Sequence, residues 1–165
     1  MCALRVNIVQ LLANIVSVFF RASLLFWENA LNMILEHIAI WTYRLEVLRS
    51  FYETYFGGSS NEKYINEKKG FESYFLCFDS GSRLELMQMV GVPETNRDIE
   101  RQFTGLIHMA FEASSQKGVD ELTERLRGDG YRVIGEPRTT GDGYYESVVL
   151  DPDENRVEIT YNLSL

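Results

Sequence analysis

The 165-residue chain has little cysteine and fewer basic than acidic residues, and each shortage excludes a class of protein. Its two cysteines, Cys2 and Cys77, form neither a disulfide framework nor a C-x-x-C metal knuckle, so we expect a reducing, cytoplasmic compartment. Lysine and arginine number 16 against 24 aspartate and glutamate residues, which gives a formal net charge of −8. No nucleic-acid partner is expected, because phosphate binding requires clustered basic side chains.

The sequence also lacks an uninterrupted transmembrane run, although its N-terminus is strongly apolar over residues 6–20. Polar residues recur there at spacings of three and four, as on one stripe of a helix, at Asn7, Gln10, Asn14, Ser17 and Arg21. A membrane span needs about 20 residues without a charge, and a signal peptide needs a small-residue cleavage site. Three interpretations stay open for residues 1–33: an interfacial or partner-binding helix, a membrane anchor, or an extension foreign to the domain. We favour the extension over membrane contact.

From residue 34 onward the chain reads as one α+β domain that contains two similar halves. Each half has a strand, then a helix, then further strands. Period-two runs predict strands at 35–41, 71–79, 82–89, 105–113, 131–137, 144–151 and 155–161. Helical spacing of apolar residues predicts helices at 44–56 and 119–130, the first ending at Gly57. We therefore divide the domain 34–165 into module one (34–90), a polar linker (91–103) and module two (104–165).

Aligning the two modules exposes an internal repeat that carries one histidine and one glutamate. The stretch H-I-A-I at 37–40 matches H-M-A-F at 108–111, and L-E-L at 84–86 matches V-E-I at 157–159. The histidines are 71 positions apart (108 − 37) and the glutamates 73 (158 − 85). The same two residue types therefore recur at almost the same offset.

Strand geometry places each of these side chains on a face opposite to its aliphatic neighbours. Glu85 lies between two leucines and Glu158 between valine and isoleucine, so both carboxylates lie in partly apolar surroundings. Desolvating an unpaired carboxylate costs several kcal/mol, unless the group is paired or bound to a metal. Two imidazoles and two carboxylates suit a borderline divalent ion. The alternative is two independent buried His–Glu pairs.

These motifs resemble the vicinal oxygen chelate superfamily, which includes glyoxalase I, fosfomycin-resistance enzymes, extradiol dioxygenases and bleomycin-binding proteins. The resemblance covers residues 34–163 and rests on H-x-A, G-L-I-H-M-A-F and the terminal D-P-D-x-N-x-V-E-I. It implies two βαβββ modules that form a U-shaped cleft from mixed and antiparallel sheet, with helices on the outer face. It also implies a homodimer, and it leaves open whether the site lies within one chain or between two.

Within this superfamily the order His, Glu, His, Glu is most similar to glyoxalase I. The resemblance implies that one divalent ion (Ni, Zn, Co or Mn) is bound by His37, Glu85, His108 and Glu158. Glu158 would be the catalytic base, and Glu85 would return the proton. The implied enzyme is a lactoylglutathione lyase-like carbon–sulfur lyase for methylglyoxal detoxification. It converts the hemithioacetal of a 2-oxoaldehyde through a metal-chelated enediolate.

Two positions depart from bacterial glyoxalase I, which has an arginine four residues after the first ligand and an asparagine four after the first glutamate. Trp41 and Met89 stand at these positions here, so the thiol part of the substrate is not defined. The loop 139–147 resembles family members called lactoylglutathione lyase-like. Its glycines permit a mobile lid over the cleft, and a plain hairpin turn is the alternative. Candidate substrate-binding residues are Trp41, Met89, Arg83, Tyr144 and Tyr145.

Other functions on the same scaffold remain open at this point. A thiol transferase, an epimerase or a dioxygenase would use a similar metal centre on a small-molecule substrate. A resistance protein that sequesters its ligand without catalysis is a further alternative, although such proteins typically lack the metal ligands. The retention of all four ligand types argues for an enzyme.

Overall fold

The computed structural model describes residues 33–95 and 98–164. The predicted apolar segment 1–33 lies outside this description except for its last residue. The domain forms a compact unit, Glu36–Leu165. Among the described residues, no helix has the length and apolar character needed to cross a bilayer.

Module one contains one helix and five strands. They are β1 (His37–Trp41), α1 (Leu45–Phe56), β2 (Ser59–Ser60), β3 (Tyr64–Asn66), β4 (Phe71–Cys77) and β5 (Arg83–Met89). The sheet order is β1-β5-β4-β2, and β3 also pairs with β4. Strand β1 runs parallel to β5, whereas the other pairs are antiparallel. Because β2 and β3 are only two and three residues long, they are too short to show the alternation that identifies a strand from sequence.

Module two repeats this arrangement with a four-stranded sheet. Its elements are β6 (His108–Glu112), α2 (Gln116–Gly128), β7 (Val133–Thr139), β8 (Tyr144–Leu150) and β9 (Arg156–Asn162). The sheet order is β6-β9-β8-β7, with β6 parallel to β9. Helix α2 begins earlier than predicted because the Ser115 side chain caps it, accepting a hydrogen bond from the Gly118 N–H at 3.0 Å. The predicted α+β fold of two similar modules is confirmed.

The core of module one forms between α1 and the aliphatic face of the sheet. Leu48 of α1 and Leu86 of β5 are both fully buried. Burying such a leucine side chain contributes about 1.5–3 kcal/mol to the stability of the folded state. The helix ends where Gly57 adopts a left-handed conformation (φ 69°), as its glycine predicted. The same alternation leaves the histidines and glutamates on the face away from the helices.

The two modules contact each other through their helix-covered sides. Phe111 lies on the helix-facing side of β6, and its ring centroid is 4.6 Å from that of Phe56 in α1. It also lies 5.1 Å from the ring of Phe78, just after β4. This aromatic contact belongs to one hydrophobic core that includes residues of both modules. The His–Glu faces of the two modules therefore lie on the side away from this contact.

A buried hydrogen bond also joins the modules. The hydroxyl of Tyr52, which is fully buried in α1, donates to Asp151 Oδ2 at 2.9 Å. Asp151 begins the turn between β8 and β9, and it accepts further hydrogen bonds from the backbone N–H groups of Asp153 and Asn155, both at 2.8 Å. Burial raises the pKa of Asp151, while its hydrogen bonds oppose that shift. Tyr52 thus holds the terminal turn of module two against module one.

We expect the Tyr52→Phe substitution to lower the free energy of unfolding by about 1–3 kcal/mol, because it removes a donor from a buried carboxylate. Urea denaturation of both proteins at neutral pH measures this difference. Tyr55→Phe is the matched control, since the Tyr55 hydroxyl donates to Asp129 at an exposed position of the same helix. Equal losses in the two variants would contradict a special role for the Tyr52 bond.

Candidate metal centre

The pairing register of the strands gives the repeated histidine and glutamate the same geometry in both modules. In the parallel pair β1–β5, Ala39 lies opposite Glu85, and in β6–β9, Ala110 lies opposite Glu158. Each alanine has a histidine two positions before it on the same face of the sheet. Because the alanine side chain is small, the glutamate has room to lean toward that histidine. The distance from His Nε2 to Glu Oε2 is 3.8 Å in both modules.

The two pairs also share the same exposure and the same open geometry. The side chains of His37 and Glu85 are 39% and 15% exposed, and those of His108 and Glu158 are 41% and 15% exposed. A separation of 3.8 Å is too long for a hydrogen bond. Two ligands of one ion such as zinc lie roughly 3–3.5 Å apart, since each is roughly 2.0–2.2 Å from the metal. Each pair therefore fits one nitrogen and one oxygen ligand of a divalent ion after a small adjustment.

The electrostatic surroundings of Glu158 favour a basic carboxylate. Burial raises its pKa, and the nearby carboxylates of Glu146 and Asp142 act in the same direction. His108 and Arg138 oppose the shift. Arg138 is itself paired with Glu146, with 3.1 Å between the guanidinium and the carboxylate. Glu158 is thus a carboxylate with an increased affinity for a proton.

A third carboxylate, which the sequence analysis missed, lies beside His37. Glu36 contacts His37 Nδ1 through Oε2 and accepts a hydrogen bond from Arg83 Nε at 2.6 Å through Oε1. Its hydrogen bond with His37 lowers the pKa of Glu36; partial burial opposes this shift and the bond with Arg83 adds to it. Glu36 directly precedes β1, so strand alternation gave no signal for the direction of its side chain.

The two His–Glu pairs do not come together within one chain. Across residues 33–95 and 98–164, no group of three or more histidine, cysteine, aspartate or glutamate side chains converges closely enough to hold a metal ion. The modules pack through their helix-covered sides, which keeps the pairs apart. Strands β1 and β6, which carry the histidines, are the terminal strands of their sheets. Each chain therefore presents two separate His–Glu pairs, His37–Glu85 and His108–Glu158, and we call each pair a half-site.

Trp41 and Met89 lie on the same face of module one as the His37–Glu85 pair. Trp41 follows His37 and Ala39 in β1, is 43% exposed, and makes an edge contact with Phe71 at 5.9 Å. Met89 follows Glu85 and Met87 in β5 and is in register with Phe71. These side chains form an apolar area next to the half-site, which we call the Trp41 wall (Trp41, Phe71, Met87 and Met89).

The arginines near this wall are already engaged. Besides its contacts with Glu36, Arg83 has its guanidinium carbon 4.1 Å from the ring centroid of Phe75. Arg44, at the start of α1, is paired with Asp153, with 2.8 Å between Nη2 and Oδ1. Neither guanidinium is therefore positioned as a free handle for a substrate carboxylate.

The two tyrosines of β8 lie on opposite faces of the sheet. The Tyr145 hydroxyl donates to Asp120 of α2 at 2.8 Å, so this side chain lies on the helix-covered side. Tyr144 is in register with Asn162 and shares the face of Glu158. The segment between β7 and β8 is a short hairpin turn, closed by a 2.8 Å hydrogen bond from the Thr140 N–H to the Tyr144 carbonyl. Of the two tyrosines, only Tyr144 lies on the half-site face.

Residues 34–159 match the family model of the Glyoxalase/Bleomycin resistance protein/Dioxygenase superfamily. Among curated proteins, the uncharacterized protein YqjT of Bacillus subtilis (strain 168) is 40% identical over 70 residues, which are 41% of this chain. The match spans about half (55%) of the length of that relative.

Solved structures share the fold at low sequence identity. The trypanothione-dependent glyoxalase I of Leishmania major superposes with a TM-score of 0.62 at 20% identity, over 79% of this chain and 87% of the other. A lactoylglutathione lyase of Agrobacterium tumefaciens gives a TM-score of 0.56 at 21% identity, over 81% and 96% of the two chains. At such identities the likeness shows a common architecture.

Proposed function

Because the chain belongs to the Glyoxalase/Bleomycin resistance protein/Dioxygenase superfamily, we propose that it is a metal-dependent glyoxalase I-like lyase. Its substrate is the hemithioacetal that a thiol forms with a 2-oxoaldehyde of the methylglyoxal type. The observation that carries this proposal is the duplicated His–Glu pair with the same 3.8 Å separation in both modules. The four-ligand set resembles glyoxalase I, whereas fosfomycin enzymes and extradiol dioxygenases use two histidines and one glutamate.

The complete centre forms in a homodimer. His37 and Glu85 of one protomer meet His108 and Glu158 of the partner subunit. Two features support this arrangement: the half-sites of one chain are apart, and both histidine strands are terminal in their sheets, where an unpaired edge favours association. A two-fold axis then creates two identical centres. Each centre holds one divalent ion, such as nickel or zinc.

The chain's own groups move the proton. His37, Glu85, His108 and Glu158 would hold the ion, which would supply Lewis-acid stabilisation of the negative charge that develops on the substrate. The Glu158 carboxylate takes the proton from the carbon that bears sulfur, and Glu85 takes the hydroxyl proton of that carbon and delivers it to the neighbouring carbonyl carbon. The proton held by Glu158 then passes to the oxygen of that second carbon, so both carboxylates are regenerated. The first carbon is oxidised to the thioester level and the second is reduced to a secondary alcohol, so no external oxidant is needed. Burial supports this role of Glu158, because a carboxylate of raised pKa is a stronger base.

The Trp41 wall receives the apolar part of the substrate. It replaces the polar contacts that bacterial glyoxalase I makes with glutathione, and both nearby arginines are engaged by acidic partners. The protein therefore does not use the glutathione carboxylate in the manner of that branch. The thiol must be identified by experiment.

We expect protein loaded with nickel or zinc to hold about one ion per chain and to form thioester from at least one methylglyoxal adduct in a panel of thiols. The panel includes glutathione, a neutral thiol and an amine-bearing thiol. Chelation should abolish the activity and reloading should restore it. Trp41→Arg serves as the matched variant and should lower KM for the glutathione adduct selectively. Metal-loaded protein that turns over no adduct would overturn the proposal, and stoichiometric adduct binding without turnover would indicate a sequestering protein.

A further inference from the structure

The two half-sites differ in how their histidine is held. In module one, Glu36 connects His37 with Arg83 through its two carboxylate oxygens. The Glu36 carbonyl also accepts a 2.9 Å hydrogen bond from the backbone N–H of Arg83, which anchors the residue to the start of β5. Arg83 is in turn packed on the ring of Phe75, whose edge contact with the His37 ring has a centroid distance of 5.4 Å. Glu36 is therefore fixed by its main chain and by its side chain.

We propose that Glu36 is a positioning residue that holds His37 in the tautomer with its proton on Nδ1. An ionised carboxylate can only accept hydrogen bonds, so the contact at Nδ1 requires that this nitrogen carry the proton. In the neutral ring Nε2 is then the unprotonated nitrogen, and it faces Glu85, which is the orientation a metal ligand needs. A carboxylate on the second nitrogen fixes the ring and increases its basicity as a ligand. The expected effect of Glu36 on metal affinity rests on the proposed metal centre. The expected tautomer of His37 does not depend on that proposal.

Within the described part of module two, no counterpart of Glu36 contacts His108. Ile107 precedes His108 and offers no side-chain acceptor. Arg156, the counterpart of Arg83, directs its guanidinium to the Gln102 side chain at 2.9 Å and to the carbonyls of Ile99 and Arg101 at 2.8 Å. Its cation therefore stabilises the linker. The repeat is therefore asymmetric in how its histidines are held: module one has a carboxylate at His37 Nδ1, anchored by Arg83, whereas the arginine of module two is directed to the linker.

The first test measures the tautomers in the metal-free protein by nitrogen NMR of the imidazole rings, at a pH where both histidines are neutral. We expect His37 to carry its proton on Nδ1 and His108, the internal control, to favour the ordinary Nε2–H form. In Glu36→Ala the His37 spectrum should shift toward that of His108, which should itself be unchanged. Glu36→Gln keeps the shape of the side chain and a weaker hydrogen-bond acceptor, so its His37 spectrum should lie between those of the wild type and Glu36→Ala. This variant replaces Glu36→Ala in the test if the alanine variant does not fold. A wild-type His37 with its proton on Nε2 would overturn the proposal.

The second test measures zinc affinity by competition with a chromophoric chelator. We expect Glu36→Ala to weaken binding about 10–100-fold. Arg83→Met, which removes the anchor of Glu36, should give a smaller loss in the same direction. Glu121→Gln, which removes an equal charge on the exposed face of α2, should bind zinc like the wild type. Unchanged zinc affinity in folded Glu36→Ala protein would contradict the role of Glu36, even if the wild type is an active lyase. If the wild type has no lyase activity, the proposed function fails, and the tautomer measurement still decides the role of Glu36.

Discussion

We expect a mixture of the His37→Ala and His108→Ala proteins to regain metal and activity that neither variant has alone. In each pure variant, both centres of the dimer lack one histidine. In the proposed dimer each centre takes one His–Glu pair from each chain. One centre of a mixed dimer would then lack both histidines, and the other would have all four ligands. Random exchange of subunits makes about half of the dimers mixed, so about a quarter of the wild-type centres return.

The measurement uses the two variants refolded or expressed together, with metal content and thioester formation determined per chain. Mixing His37→Ala with Glu85→Gln is the matched control, since both changes lie in module one and every centre in the mixture remains defective. Recovery in the first mixture and none in the second supports the shared centre. A dimer that shows no recovery in the first mixture would indicate that all four ligands come from one chain.

We expect Glu158→Gln to lower kcat by about 10²–10⁴-fold at saturating metal, which is the usual contribution of a positioned acid–base group. Glutamine keeps the size of the side chain and a ligand oxygen, but it cannot accept the substrate proton. The resemblance to glyoxalase I is the reason to assign the base to this residue, and the direction of its pKa shift in the metal-free protein, raised chiefly by burial, agrees with that role. The rate must be measured over a metal titration, because loss of a charged ligand also weakens metal binding.

Glu85→Gln is the comparison for this experiment, since Glu85 has the same distance to its histidine and the same 15% exposure. We expect its effect on kcat to be smaller and its effect on metal affinity to be similar. A larger loss of kcat in Glu85→Gln than in Glu158→Gln would reverse the roles of the two glutamates. Equal losses would indicate that the two proton transfers, one by each glutamate, limit the rate to the same extent.

Much of the fold was predictable because it depends on short-range patterns. Alternation placed Leu84 and Leu86 in the core and Glu85 on the other face, and the structure has this arrangement. A glycine was expected to end α1, and Gly57 does so. The start of α2 was misplaced by three residues because the cap at Ser115 is a local hydrogen bond that apolar spacing does not reveal.

The candidate site was predictable only in part. The repeat identified the residues of the two His–Glu pairs, but it gave no sign that Glu36 contacts His37 or that Arg83 is held by Glu36. Tyr144 and Tyr145 looked equivalent in sequence, yet Asp120 of α2 binds the hydroxyl of the second one. Such contacts depend on side chains brought together from separate elements, and no local pattern encodes them.

The amino-acid sequence by itself determined which residues share a face, because side-chain direction in a strand alternates residue by residue. It thereby determined that each module carries one histidine and one glutamate on the face away from its helix. Only the tertiary structure decided how the two modules are oriented. Phe111 packs against Phe56, and Tyr52 binds Asp151 across 99 positions of sequence, so the helix-covered sides meet and the two half-sites of one chain stay apart.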